Sequence, residues 1–166
     1  ILEHFGSMAS GLAADLFEVQ ATDAGIRPQV AIAAAVDPAR ALARLAWALS
    51  TPNPRADAAV LLDGLGQQPY RATCQDSVVK SGGRGARVPT GAKTCAFCLM
   101  LASRGAVYRS KDTADGNRYH GDCDCTPVLV VGDESPEGYA PETYREIYRL
   151  AAREADLLPV PYYHVV

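Results

Sequence analysis

Four of the five cysteines lie between positions 95 and 125, and their spacing constrains this chain more than any other feature. Cys95 and Cys98 form a C-x-x-C pair, and His120, Cys123 and Cys125 form an H-x-x-C-x-C cluster. Two ligand groups on tight turns, separated by a chain reversal, are what a tetrahedral Zn²⁺ site requires. The reversal is expected at Asp115-Gly116, a tight-turn dipeptide flanked by Val107-Tyr108 and Arg118-Tyr119. Five candidate ligands compete for four positions. The preferred set is Cys95, Cys98, His120 and one of Cys123 and Cys125, with Cys125 ahead. A four-cysteine site without His120 is the alternative.

Other uses of these thiols fit less well. A redox C-x-x-C pair lacks the strand expected before Cys95. A disulfide framework disagrees with the odd cysteine count and with an N-terminus that carries no signal-peptide pattern. The start at Ile1 reads as part of a longer chain. Cys74 stands alone and reads as an inert helix residue. A catalytic zinc needs an open position and a general base, yet H-E-x-x-H and the deaminase pattern are both absent. Asp122 and Asp124 are the acids inside the cluster and read as solvated turn carboxylates. His4 and His164 have no motif around them. The expectation is a structural zinc staple, contributing on the order of 10 kcal/mol of apparent folding free energy, and no enzyme activity.

The remainder fills in an α+β chain. Of its 166 residues, 48% are hydrophobic and 21% charged, an ordinary globular balance. A net charge of −3 excludes electrostatic capture of nucleic acid by the whole chain. No apolar run is long enough to span a membrane. Leu12, Leu16 and Val19 recur at helical spacing from about Ser10 to Gln20. Asp37-Pro38 starts a second helix to about Leu49, with Leu42, Leu45 and Leu49 on one face and Trp47 nearby. From Pro54 a helix broken by Gly64, Gly66 and Pro69 is expected to resume over Tyr70–Lys80. Val128–Val131 reads as a short strand. Pro141 opens a last helix to about Ala155, with Tyr144, Ile147, Tyr148 and Ala151 on one face as core or assembly surface. The expected division is a helical region over 1–80, a zinc-stapled β-hairpin module over 81–131, and a loop with the closing helix over 132–166.

Basic residues gather around the Gly-rich stretch at 81–85. Lys80, Arg84, Arg87 and Lys93 are candidate phosphate contacts, with a solvated linker as the plainer reading. No aromatic residues interleave with them, so base stacking is not expected. A phosphate loop is excluded because no G-K-[ST] follows the glycines.

The run Arg87-Val88-Pro89-Thr90-Gly91, then Thr94-Cys95-Ala96-Phe97-Cys98, Ala102-Ser103-Arg104-Gly105, Tyr119-His120 and Cys123-Asp124-Cys125 resembles tailed-bacteriophage minor head proteins. Specifically, it is similar to the phage Mu F-like head morphogenesis family in its actinobacteriophage form. The resemblance covers about residues 84–131. It implies a virion protein in the capsid interior or portal region, made in the host cytoplasm. It would assemble as multimers with portal and capsid proteins, and packaged DNA is a further implied contact. A zinc-containing hydrolase or effector, with active residues partly outside this segment, is the alternative.

Overall fold

A computed structural model describes residues 2–91, 94–110, 112–113, 119, 123–132 and 135–154. The alanine-rich first half makes three helices: α1 over Leu2–Asp23, α2 over Pro38–Leu49 and α3 over Pro54–Lys80. Strand β1 follows over Arg84–Pro89, then α4 over Ala96–Ala102, β2 over Cys125–Val130 and α5 over Pro141–Glu154. The fold is the expected helix-rich α+β arrangement with a two-stranded antiparallel sheet and a C-terminal helix. No helix among the described residues is long and apolar enough to cross a membrane.

Local chemistry explains the boundaries. Asp37 accepts the Ala39 N–H at 3.0 Å and caps α2, as its place before Pro38 predicts. Gly82, at a φ of +68°, ends α3 in a left-handed turn, and Gly83 donates back to the Val78 carbonyl. The chain then enters β1, which pairs with β2 from Arg84↔Val130 to Pro89↔Cys125. Thus the Gly-rich segment is a helix cap and a strand start rather than a linker. Gly85 lies against Tyr108, which exchanges backbone hydrogen bonds with it as an isolated bridge. A Cβ on Gly85 would meet the Tyr108 carbonyl oxygen at 3.0 Å. Tyr108 therefore pairs with β1, while the turn expected at Asp115-Gly116 lies outside the described residues.

Helix α3 runs unbroken through Gly64, Gly66 and Pro69, contrary to the sequence expectation. Helix propensity is a weak prior that tertiary packing overrides. Here Pro69 is buried against α1, close to Gly6. Both α1 and α2 pack on α3. The extended chain between α1 and α2 is tied to α3 by hydroxyls. Thr73, Ser77 and Ser81 accept the backbone N–H groups of Ala33, Ala31 and Gln29 at 3.0, 2.9 and 2.8 Å. Four helical residues rise about 6.0 Å and two extended residues span about 6.6 Å, so the two repeats stay in step.

The faces that the leucines mark are not the faces that pack. On α1 the buried residues are Gly6, Ser10, Ala13, Ala14, Phe17 and Ala21, while Leu12, Leu16 and Val19 are exposed. On α2, Ala41 and Ala48 are buried, Leu45 is half-buried, and Leu42, Trp47 and Leu49 are exposed. The buried faces are filled by small residues together with Phe17, and most of the other large apolar side chains of the two helices face outward. On α5, Tyr144 packs beside buried Tyr139, but Ile147 is exposed.

Phe17 and Ala21 of α1, Val78 of α3 and Leu129 of β2 form one core cluster. It joins residues on both sides of the expected boundary between residues 80 and 81. A second cluster joins Ala86, Ala102, Val130 and Tyr139. The third is the cysteine cluster, at the end of the sheet.

Candidate metal centre

Cys95 and Cys98 are brought together by the first turn of α4. Cys95 is the N-cap, with its Sγ accepting the Cys98 N–H at 3.2 Å. Cys98 lies within the helix and is buried. Cys123 and Cys125 come from the start of β2, where Cys125 pairs with Pro89 at the end of β1. Asp124 ties the two halves. Its carbonyl accepts both the backbone N–H and the hydroxyl of Thr90, at 3.1 and 2.6 Å, and its Oδ2 accepts from Thr94 Oγ1 at 2.9 Å. Half-buried and bonded in this way, Asp124 is not the solvated turn carboxylate that the sequence suggested.

The sulfurs of Cys98, Cys123 and Cys125 all lie within 4.8 Å of one another. Cys98 Sγ is 3.3 Å from Cys123 Sγ, which is 3.5 Å from Cys125 Sγ. Tetrahedral ligands at a Zn–S distance of about 2.3 Å put sulfurs about 3.8 Å apart. The spacing is near that value and far from a bonded pair, and all five cysteines are free. Cys95, half-buried, packs against the other three, as does Tyr119.

Proton sharing dominates the electrostatics. The bond from Cys125 pulls the Cys123 thiol well below its ordinary pKa, helped by the nearby Arg71 charge. The same bond holds the proton on Cys125 and pushes its pKa up, with burial adding to it. Burial likewise raises Cys98. Three crowded sulfurs that share protons are a donor set for a thiophilic cation, which would replace those protons. The residues therefore fit a metal such as zinc. Cys98, Cys123 and Cys125 could hold it, with Cys95 beside them.

Two arginines that the sequence did not mark as neighbours of this cluster reach it from the core. Arg87, on β1, is 1% exposed, with its Nη1 3.8 Å from Cys125 Sγ and its guanidinium 3.8 Å from the Tyr119 ring centre. Arg71, on α3, is 2% exposed, donates to the Cys123 carbonyl and lies 4.5 Å from the same ring centre. Arg87 as a phosphate contact is thus overturned: the strand points it inward. Lys80 donates to the Val30 carbonyl and Arg84 to that of Gly132, both through side-chain nitrogens. Lys93, His120, Asp122 and His164 lie outside the described residues. His4 is exposed on α1, beside Phe5. Cys74 is buried in α3, as expected of an inert residue. An arginine between glycines and a proline carries no periodic signal, so nothing in the pattern pointed Arg87 at the cysteines.

A family model described as VG15 protein matches residues 1–151. No curated protein and no solved structure matches the chain.

Proposed function

Because the chain belongs to the VG15 protein family, a phage-associated group of viral proteins, we propose that it is a minor capsid protein of the head morphogenesis kind, built into the portal region of a tailed-phage head. One observation carries the assembly role: α1 presents an apolar stripe that stays exposed among the described residues. Phe5, Met8, Leu12, Leu16 and Val19 recur every three or four residues, and all are exposed, Leu12 at 65%. Contiguous exposed apolar surface of this kind marks a protein–protein contact.

Charge suggests how copies of the chain meet. The α1 stripe is flanked by exposed Glu3, Asp15 and Glu18, and the helix has no lysine or arginine. Exposed Leu42, Trp47 and Leu49 on α2 are flanked by exposed Arg40 and Arg44, and that helix has no acid. An acidic apolar face on one copy and a basic apolar face on the next make a head-to-tail contact, which closes into a ring where the rotation permits. The buried cysteine centre supplies a rigid, metal-held corner beside α3 and β1, from which Arg71 and Arg87 reach it. Packaged DNA is not part of the reading, because Arg87 is in the core and Lys80 and Arg84 bond backbone carbonyls.

Co-expression with the portal and shell subunits of its phage tests the reading. The chain should co-purify with them as multimers and enter assembled heads. Heads that form normally without it, while the chain alone stays monomeric, would overturn the proposal.

A further inference from the structure

Arginine is rarely buried completely, because an uncompensated charge in the core is costly. Here Arg71 and Arg87 are both buried, come from different elements, and converge on one tyrosine and one cysteine cluster. We propose that Arg71 and Arg87 are positioning residues for a doubly negative metal centre, a Zn²⁺ ion held by the four thiolates of Cys95, Cys98, Cys123 and Cys125. This rests on the zinc reading above and carries it to the ligand set and the charge.

The argument is one of charge and placement. A zinc ion with four thiolates carries a net charge of about −2, and with three thiolates and a neutral imidazole about −1. Two guanidiniums match the first. Arg87 Nη1 faces Cys125 Sγ at 3.8 Å, and Arg71 grips the backbone carbonyl of Cys123, so each charge stands beside one ligand of the H-x-x-C-x-C half. Asp124 sits between those ligands in sequence, and its carboxylate is held by the Thr94 hydroxyl. The fourth thiolate comes from Cys95, whose sulfur stands outside the group of three that lie within 4.8 Å of one another. Cys95 packs against the other three, and its sulfur accepts a backbone N–H, the kind of bond that stabilises a metal-bound thiolate.

The test uses the full chain loaded with Co²⁺ in place of zinc. Its thiolate-to-cobalt charge-transfer band grows with the number of bound sulfurs. Cys95→Ser should remove about a quarter of that intensity, while His120→Ala and Cys74→Ser leave it unchanged. Serine is a good N-cap, so Cys95→Ser keeps the start of α4. Zinc affinity, read by competition with a chromogenic chelator, should fall about 10- to 100-fold in Arg71→Gln and in Arg87→Gln. Arg71→Lys and Arg87→Lys should recover most of it. A band lost in His120→Ala and kept in Cys95→Ser would overturn the four-thiolate set while leaving zinc in place. Equal losses in the lysine and glutamine variants would overturn the charge role. Wild-type chain that binds neither metal would overturn the zinc reading itself.

Discussion

The guanidinium of Arg87 lies 3.8 Å from the centre of the Tyr119 ring, and Arg71 approaches the same ring at 4.5 Å. The aromatic face, not its hydroxyl, is what both cations touch. The Tyr119 hydroxyl is buried with no partner among the described residues, which forces its pKa upward through desolvation. Tyr119→Phe should therefore leave stability unchanged or slightly raised, since it keeps the ring and removes an unpaired polar atom. Tyr119→Leu should cost about 2–4 kcal/mol, from two desolvated cation–π contacts. Urea unfolding of the two variants checks the contrast.

The hydroxyl ladder on α3 makes a local prediction. Ser77 accepts from Ala31 and Thr73 from Ala33, so Ser77→Ala and Thr73→Val each remove one acceptor. Each should cost about 1 kcal/mol. Hydrogen exchange at the amides of Ala31 and Ala33 should speed up, each in its own variant, while exchange within α3 stays slow. Equal acceleration across α3 would mean that the helix, not the ladder, was weakened.

The parts of the fold that could be read in advance are those written in local chemistry. Asp37-Pro38 states a cap, and the C-x-x-C spacing states a turn, though not the helix α4 that this turn opens. The cysteine cluster was legible because thiols at ligand spacing have few other uses. What failed was inference about which surface meets which. The leucine spacing on α1 and α2 marked apolar faces, and those faces are exposed, whereas alanines and Phe17 fill the buried ones. Pro69 looked like a helix breaker because its burial against α1 depends on residues far away in sequence. Arg71 and Arg87 were illegible as neighbours of the cysteines for the same reason: only the packing of α3 and β1 brings them there.

Cys74 gives a pH dependence with a definite sign. Burial pushes its thiol from 9.0 up to about 11, with a Tyr70 hydrogen bond acting weakly the other way. The folded state thus holds the proton more tightly than the unfolded chain. Its contribution is fully present below about pH 9 and is lost as pH rises toward 11. In that window wild type should lose up to about 1.4 kcal/mol per pH unit more than Cys74→Ala. Urea unfolding at pH 7, 9 and 10.5 measures it. Parallel curves for the two proteins would show that Cys74 is not the group responsible.

Surface substitutions on α1 and α2 separate assembly from folding. Leu12 is 65% exposed and Trp47 69%, so neither contributes much to the core of a single chain. Leu12→Lys should change unfolding free energy by no more than about 0.5 kcal/mol, as is usual for exposed positions. It should nonetheless abolish association in light scattering, because it puts a cation where the neighbour's Arg40 and Arg44 arrive. Reversing α2 with Arg40→Glu and Arg44→Glu should abolish association as well, by facing acids with acids. Combining that pair with Asp15→Arg and Glu18→Arg should restore it, since the two faces have then exchanged sign. Restoration is the decisive result: loss alone would follow from any damage to the surface, whereas recovery by a second charge reversal requires that α1 of one copy meets α2 of another.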